Sequence, residues 1–400
     1  MSDPWSPARR VAFRFLVIYA VLYTLPGVLL VTPGFEWAGK LHDRVWEELL
    51  ARVSDAFSLD VVLAEDNGSG DTSASYLTLV LELGLAAAGT ALWTALDRAR
   101  TSYPRTLDVL RSYLRLVLAY SMMWYGLAKV FKSQFPAPSP GRLMQPIGDA
   151  SPMGLLWTFM GASTPYTIFA GLAELIGGLL LLWRRTTAAG ALILAAVLSH
   201  VVLLNFCYDV PVKLYSSHLL LIALFLVWPH AQRLVDVLVR NRATQPVDLG
   251  TFPVPPRMRR PVAIAKWLVV AFLLAVATVE SWSGYRTVGD GADHGPLYGD
   301  YDADGGEGGA RWRRVGISRS GVSILTEEGE IVRHGMTYDE ERAQLLLRRN
   351  GTELVYGVER VDADTIIIEG REASHRLVRR APTLLESRGF HWVNEAPFNR

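Results

Sequence analysis

Apolar residues in this chain come in long blocks. Runs at 11–31, 75–96, 166–183, 188–206, 214–228 and 262–282, and one ending near Val130, carry few charges. A helix needs roughly 20 apolar residues to cross the hydrocarbon core of a bilayer, so the pattern predicts about seven transmembrane spans. The first run is long and has no small-x-small cleavage site before Glu36, which reads as an uncleaved span with Arg14 snorkelling to the headgroups. Between the first two runs Trp37, Leu41, Val45, Leu49, Val53 and Phe57 recur every four residues among charges. That spacing predicts an amphipathic helix lying on the membrane or on a neighbouring domain. The apolar piece at 153–160 is too short to span and reads as interfacial or re-entrant.

Beyond 282 the pattern changes. The stretch 289–309 is rich in Gly and Asp and reads as a linker. Segments 322–325, 345–347, 353–358, 365–369 and 375–378 have strand character, with Asn350-Gly351 and Glu328-Gly329 as hairpin turns. The expected fold is mainly α: a polytopic transmembrane helix bundle with a small C-terminal antiparallel β domain. Its expected divisions are 1–110 (two spans and an acidic segment), 111–229 (a membrane unit), 230–284 (a basic loop and the seventh span) and 285–400 (linker and β-rich domain).

Charge adds direction. The net charge over 400 residues is +1, which gives no reason to expect a nucleic-acid partner; the bilayer itself is the expected one. Basic loops precede the first span and follow the second, fourth and sixth, whereas the acidic loop after the first span and the turn 205–213 fall on the other side. Lys and Arg mark the cytoplasmic side, so the N-terminus is expected inside and the β domain outside. The lone Cys207 excludes an internal disulfide and any Cys-pair motif, and reads as a small packed residue.

Candidate chemistry gathers at the turn 205–213, NFCYDVPVK, which places Asn205, Tyr208, Asp209 and Lys213 between two apolar runs carrying His200 and His218. At ~1.5 Å per residue both histidines lie about 9 Å inside their helix ends, and Glu174 roughly 13 Å deep from the same side. Lys129, with Tyr125 one turn behind it, ends the third span. One outward-facing polar cavity is expected, with Glu174 and Lys129 as its catalytic pair and Tyr125, His200, Asn205, Tyr208, Asp209, Lys213 and His218 as binding residues. Each has a structural alternative. Glu174 lies among Gly171, Gly177 and Gly178, a stripe that admits close helix packing. The histidines can satisfy one another between helices, and Asp209 and Lys213 can close the turn as an ion pair. His200 and Asn205 are about 140° apart around one helix, so both cannot point straight inward. A haem b held by the two histidines ranks below a structural role, since no second pair exists. The run Asp300 to Gly305 matches the first half of a calcium loop, but Arg311 stands where a bidentate Glu is needed. It reads as a solvated acidic linker, and no metal site is expected.

YGLAKVF (125–131) and AGLAELIGGLLLLWRRTTAAGALIL (170–194) resemble the DoxX-like group of bacterial membrane proteins, over about 111–229. That family shares a four-helix unit with Gly-x-x-Lys ending its first helix, here Lys129, and Ala-Glu before a Gly/Leu run in its second, here Glu174. The resemblance implies location in the bacterial inner (plasma) membrane. It also implies a redox-linked subunit that uses a quinone or a small sulfur species, because some members are similar to the small subunit of thiosulfate:quinone oxidoreductase. An extracytoplasmic or membrane redox protein is the partner this implies. Other relatives, such as the methylamine-utilisation membrane protein and the surfeit-locus cargo receptor, assist maturation or export, so a non-enzymatic scaffold is the alternative. NFCYDVPVK and the closing FHWVNEAPFNR are similar to a longer subgroup with an extracytoplasmic tail.

Overall fold

The computed structural model describes residues 4–32, 34–63, 68–245, 254–307, 311–319, 321–371 and 373–398. The helices run α1 (Pro7–Val31), α2 (Glu36–Phe57), α3 (Ser73–Leu96), α4 (Pro104–Val130), α5 (Pro140–Leu143), α6 (Pro152–Ala162), α7 (Thr164–Leu181), α8 (Thr187–Cys207), α9 (Lys213–Val227), α10 (Ala231–Leu238) and α11 (Arg259–Thr287). Strands β1 (Gly299–Glu307), β2 (Trp312–Ile317), β3 (Gly321–Thr326), β4 (Ile331–Asp339), β5 (Gln344–Arg349), β6 (Thr352–Arg360), β7 (Thr365–Glu369) and β8 (Ser374–Arg379) follow, then α12 (Leu384–Ser387). The chain divides into two compact units: Met1–Leu127 with Ala170–Val279, and Ala128–Phe169 with Glu280–Arg400.

The first unit is helical. Among the described residues six helices, beginning at Pro7, Ser73, Thr164, Arg184, Lys213 and Pro256, are long and apolar enough to cross a membrane, and this is a membrane protein. Their outer faces keep Val80, Leu203, Leu221 and Leu268 about 60% exposed or more, as lipid contact demands rather than water. Local signals start the helices: the Ser6 hydroxyl accepts from Arg9 N at 3.3 Å with Pro7 behind it, and Thr72 accepts from Ser75 N at 3.1 Å. α4 has the length but carries more charge than the six. Its middle is covered by protein instead of lipid, with Leu114, Leu118, Ala119, Met122 and Met123 at 2% exposure or less. Glycines set the spacing around it. A Cβ on Gly126 would lie 2.7 Å from the Gly171 carbonyl, one on Gly178 3.0 Å from that of Ala119, and one on Gly190 2.8 Å from that of Gly177. The small-residue stripe on α7 thus serves two neighbours, α4 and α8.

Two expectations are corrected here, and a third element, α2, adds detail. Arg14 does not snorkel: it is 3% exposed and donates to Tyr103 Oη, Thr94 Oγ1 and the Asp97 carbonyl, an internal set of acceptors that replaces headgroups. Cys207 is exposed rather than packed, because Asn205, not Cys207, lies on the inner face of α8. On α2 the four-residue stripe stays largely outside, with Trp37 65%, Val45 57% and Phe57 73% exposed, while Gly39, Leu50 and Ser54 are covered. Gly39 makes the close approach to α1, where a Cβ would stand 2.5 Å from Leu30 Cδ2.

The second unit centres on a closed antiparallel barrel in which each strand pairs with the next and β8 returns to β1 through Asp302↔Val378. Inward positions alternate along the strands, and Val315, Ile317, Leu345, Leu347, Ile368 and Leu377 are all at 1% exposure or less. Asn350 (φ 50°) and Gly351 (φ 79°) take the left-handed pair that a two-residue hairpin needs, and Gly329 (φ 87°) sits in the β3–β4 turn. The linker expectation at 289–309 fails in its second half, because 299–307 is strand β1; β2 and β4 also lie outside the expected strands. The acids of β1 are matched laterally. Asp300 accepts from Arg314 Nε at 2.7 Å and faces Arg380 Nε at 3.7 Å, and Asp302 accepts from Arg380 Nη1 at 2.5 Å. α5 packs over β1, β2 and β3. Lys132, 5% exposed, donates to Asp290 at 2.6 Å, to the Gly161 carbonyl at 3.1 Å and to Thr164 Oγ1 at 3.0 Å.

Candidate functional site

The NFCYDVPVK turn is built by two parts of the helical unit. Asp209 takes the left-handed conformation (φ 51°) that ends α8, and its carboxylate accepts from Lys213 Nζ at 2.9 Å, so the ion pair does close the turn. The loop before α3 locks onto the same place. Gly70 N donates to the Pro211 carbonyl at 2.7 Å, and Asp71 accepts from the backbone N–H groups of Lys213 (2.7 Å) and Leu214 (2.9 Å). Asp71 therefore caps α9, where the orphan amides and positive dipole end favour a carboxylate. Tyr208 is half-buried beside this turn.

Below the cap, α9 presents His218. Its Nδ1 meets the Leu214 carbonyl at 2.7 Å and must donate there; Nε2 is then the acceptor for Tyr19 Oη at 2.5 Å. Tyr23, one turn along α1, stacks on the imidazole at 3.8 Å with 15° between planes. Glu82 of α3 is 5% exposed, and its Oε2 has no hydrogen-bond partner among the described residues. It lies close enough to act electrostatically on both Tyr19 and Tyr23.

Glu174, 3% exposed on α7, anchors the other end of the same polar row. Its charge reaches Tyr125, whose ring lies 6.2 Å from that of Tyr215; Tyr215 Oη hydrogen-bonds Ser121 Oγ at 3.0 Å and acts on Tyr23. Asn205, 6% exposed, donates to Ser216 Oγ at 3.0 Å and ties α8 to α9. Two buried carboxylates, Glu82 and Glu174, thus lie on the same side of the unit as a series of phenols and one imidazole on α1, α4 and α9. The Tyr19–His218 and Tyr215–Ser121 hydrogen bonds fix part of this series, and carboxylates buried among apolar helices are costly enough to mark a candidate site.

Of the residues expected from sequence, Tyr125, Glu174, Asn205, Lys213 and His218 belong to this unit's polar interior or its capped turn. His200 does not: it is exposed on α8, since the inner face is taken by Leu198 and Asn205. With His200 outside and both nitrogens of His218 engaged, the two histidines do not come together as haem b ligands. Lys129 is 7% exposed and lies in the second unit, its ammonium 5.9 Å from the centre of the Phe135 ring. Among the described residues no group of three or more His, Cys, Asp or Glu side chains could hold a metal ion. Sequence reasoning missed Tyr19, Tyr23, Asp71 and Glu82. Glu82 carried its own signal, as a carboxylate in an otherwise apolar run, which marks function by default; Asp71 had none, because its partner is remote in sequence.

No family model matches the chain, and no solved structure matches it. It is similar to a Bacillus subtilis (strain 168) protein, "Uncharacterized protein YwoB", being 36% identical over 125 residues. The match spans 31% of this chain and 78% of that protein, so most of this chain has no counterpart there. Identity at this level over more than three quarters of the relative shows that the chain belongs to the family of YwoB.

Proposed function

We propose that this chain is a DoxX-like inner-membrane protein acting as a redox-linked subunit. Its polar row between Glu82 and Glu174 takes a quinone or a small thiol or sulfur species. The observation that carries this reading is the Tyr19–His218 hydrogen bond under the stacked Tyr23, beside a buried Glu82 with one unpartnered oxygen. An imidazole whose Nδ1–H is fixed on a backbone carbonyl keeps Nε2 as a base toward the Tyr19 phenol, and that pair can take up and return one proton, as quinone or thiol chemistry requires. Its orientation follows from seven crossings with a cytoplasmic N-terminus and an extracytoplasmic barrel. Parity supports α4 as the seventh. Gly70 bonds Pro211, so an even number of crossings separates them; α3, α7 and α8 make three, and α4 the fourth. Arg184 Nη2 reaching Ser112 Oγ at 3.3 Å supports the same reading.

The test is purification in native lipid with quinone extraction and a visible spectrum, alongside complementation of a deletion strain under redox stress. Glu82→Gln and Glu174→Gln should each give inserted, normally abundant and inactive protein. Full complementation by both glutamine variants would remove the carboxylates from any functional role. A second reading, a non-enzymatic scaffold or maturation and export factor recognising an extracytoplasmic partner, is favoured by one observation. The closing segment leaves Phe390, Trp392 and Val393 at 77%, 91% and 72% exposure. Co-purification of a stoichiometric protein without quinone, lost on Trp392→Ser, would select it.

A further inference from the structure

The barrel is solid at one end and hollow at the other. Toward the β2–β3, β4–β5 and β6–β7 turns it is filled by Tyr301, Val315, Ile317, Val322, Leu345 and Leu377. Toward the β3–β4, β5–β6 and β7–β8 turns the inward positions instead surround a cavity of about 670 Å³. That volume lies within the range of small-molecule sites, and an eight-stranded barrel is wide enough for one small ligand.

We propose that this cup binds a small amphipathic carboxylate, an apolar body ending in a single carboxylate. Its walls are apolar, with Ile324, Val332, Leu347 and Leu354 lining it. At its wall His375 is 1% exposed, and its Nδ1 is buried with no hydrogen-bond partner among the described residues. The ring is stacked face to face on Trp312, 3.9 Å away with 7° between planes, which fixes its plane against the cavity wall. His334, across the cavity, has an unpartnered buried Nδ1 as well. Buried polar atoms are rarely left so, and both rings also line the cavity, where a group entering it meets them. The charge at the mouth names that group's sign. Arg349 and Arg371 line it, while the lining carboxylate Glu353 is taken by Arg348 at 2.6 Å. Burial holds both imidazoles below the ordinary histidine range, Arg349 adding to the effect at His334. They are therefore neutral N–H donors at neutral pH, and a planar carboxylate meets both these and the guanidinium fork. This site stands independently of the redox reading, since it uses residues of the barrel alone.

The experiment uses the full chain in nanodiscs of zwitterionic lipid, dialysed to equilibrium against radiolabelled octanoate with empty nanodiscs subtracted. One octanoate should bind per chain, saturably, and octanol should bind at least ten-fold more weakly. The double variant Arg349→Gln with Arg371→Gln should raise Kd about ten-fold. Leu354→Trp, a rim position already 41% exposed, should block entry. In protein carrying 13C-histidine, the His375 ring signal, assigned with His375→Asn, should move on adding octanoate. Uptake no greater than by empty nanodiscs, equal binding of octanol, or binding unchanged in both variants would each overturn the proposal.

Discussion

Replacing Asp71 by alanine removes both acceptors that cap α9, at 2.7 and 2.9 Å, from a side chain only 7% exposed. Losses of helix caps run to about 0.5–2 kcal/mol, and hydrogen bonds to a charged group are worth about 1.5–3 kcal/mol. Water at the turn recovers part of the loss, so about 2–3 kcal/mol of local stability should go. The Lys213 ammonium adds little to this, because it is 3.8 Å from Asp71 and keeps Asp209 at 2.9 Å. Since roughly 1.4 kcal/mol is a factor of ten, amide exchange at Lys213 and Leu214 should speed up by about 30- to 150-fold. Gly70, whose N–H is bonded to Pro211 beside the cap, should follow. Asp71→Asn keeps one oxygen and should show a smaller acceleration at the same amides. Hydrogen exchange with mass spectrometry on the full chain reads this directly, with α11 as an internal control. Unchanged protection at Lys213 and Leu214 in Asp71→Ala would refute the cap and weaken the parity argument for α4.

A reporter active only outside the cytoplasm should work when fused at the C-terminus and fail after Arg242; the reverse would mean that α4 does not cross. Gly126→Val drives its side chain into the backbone of α7, 2.7 Å from the Gly171 carbonyl, and overpacking of this kind costs about 1–3 kcal/mol, readable as a lowered Tm in detergent. The barrel should lose stability in acid. Burial depresses His334 and His375, so below the free-histidine value of about 6.5 the unfolded chain takes up protons that the folded chain refuses. Tm should therefore be flat above that pH and fall below it, and a flat profile down to pH ~5 would contradict the burial. Titration calorimetry on the full chain should show no calcium binding tighter than roughly millimolar, since Asp300 and Asp302 already face Arg314 and Arg380.

The spans were legible because bilayer thickness imposes a length that a run of Leu, Val and Ala displays openly. α2 was legible as a helix, but which side it buries was decided by Gly39 and not by its apolar stripe. β1 was hidden for a different reason. Gly and Asp argue against a strand locally, and what makes GDYDADGGE one is pairing with β2 and β8 together with Arg314 of β2 and Arg380 just past β8. In the site, the 140° between His200 and Asn205 posed the choice correctly, but packing against Ser216 decided it. Tyr19 and Tyr23 looked like ordinary aromatic residues of a span until α9 brought His218 between them.

The Lys132 ammonium has a consequence for synthesis. Its carboxylate, Asp290, belongs to the lead into the barrel, and Asp290 also accepts from Ala137 N, 153 residues away in sequence. At translation rates of about 5–20 residues per second, the segment beginning at Ala128 waits roughly 8 to 30 s for that partner. During that interval α5 has no strands to cover and Lys132 lacks its counter-charge, so the half-made unit is a natural target for a chaperone or a surveillance protease. Ribosome stalling anywhere between α7 and α11 would prolong that exposure, whereas arrest late in the barrel, with Asp290 clear of the ribosome, would leave the pair free to form.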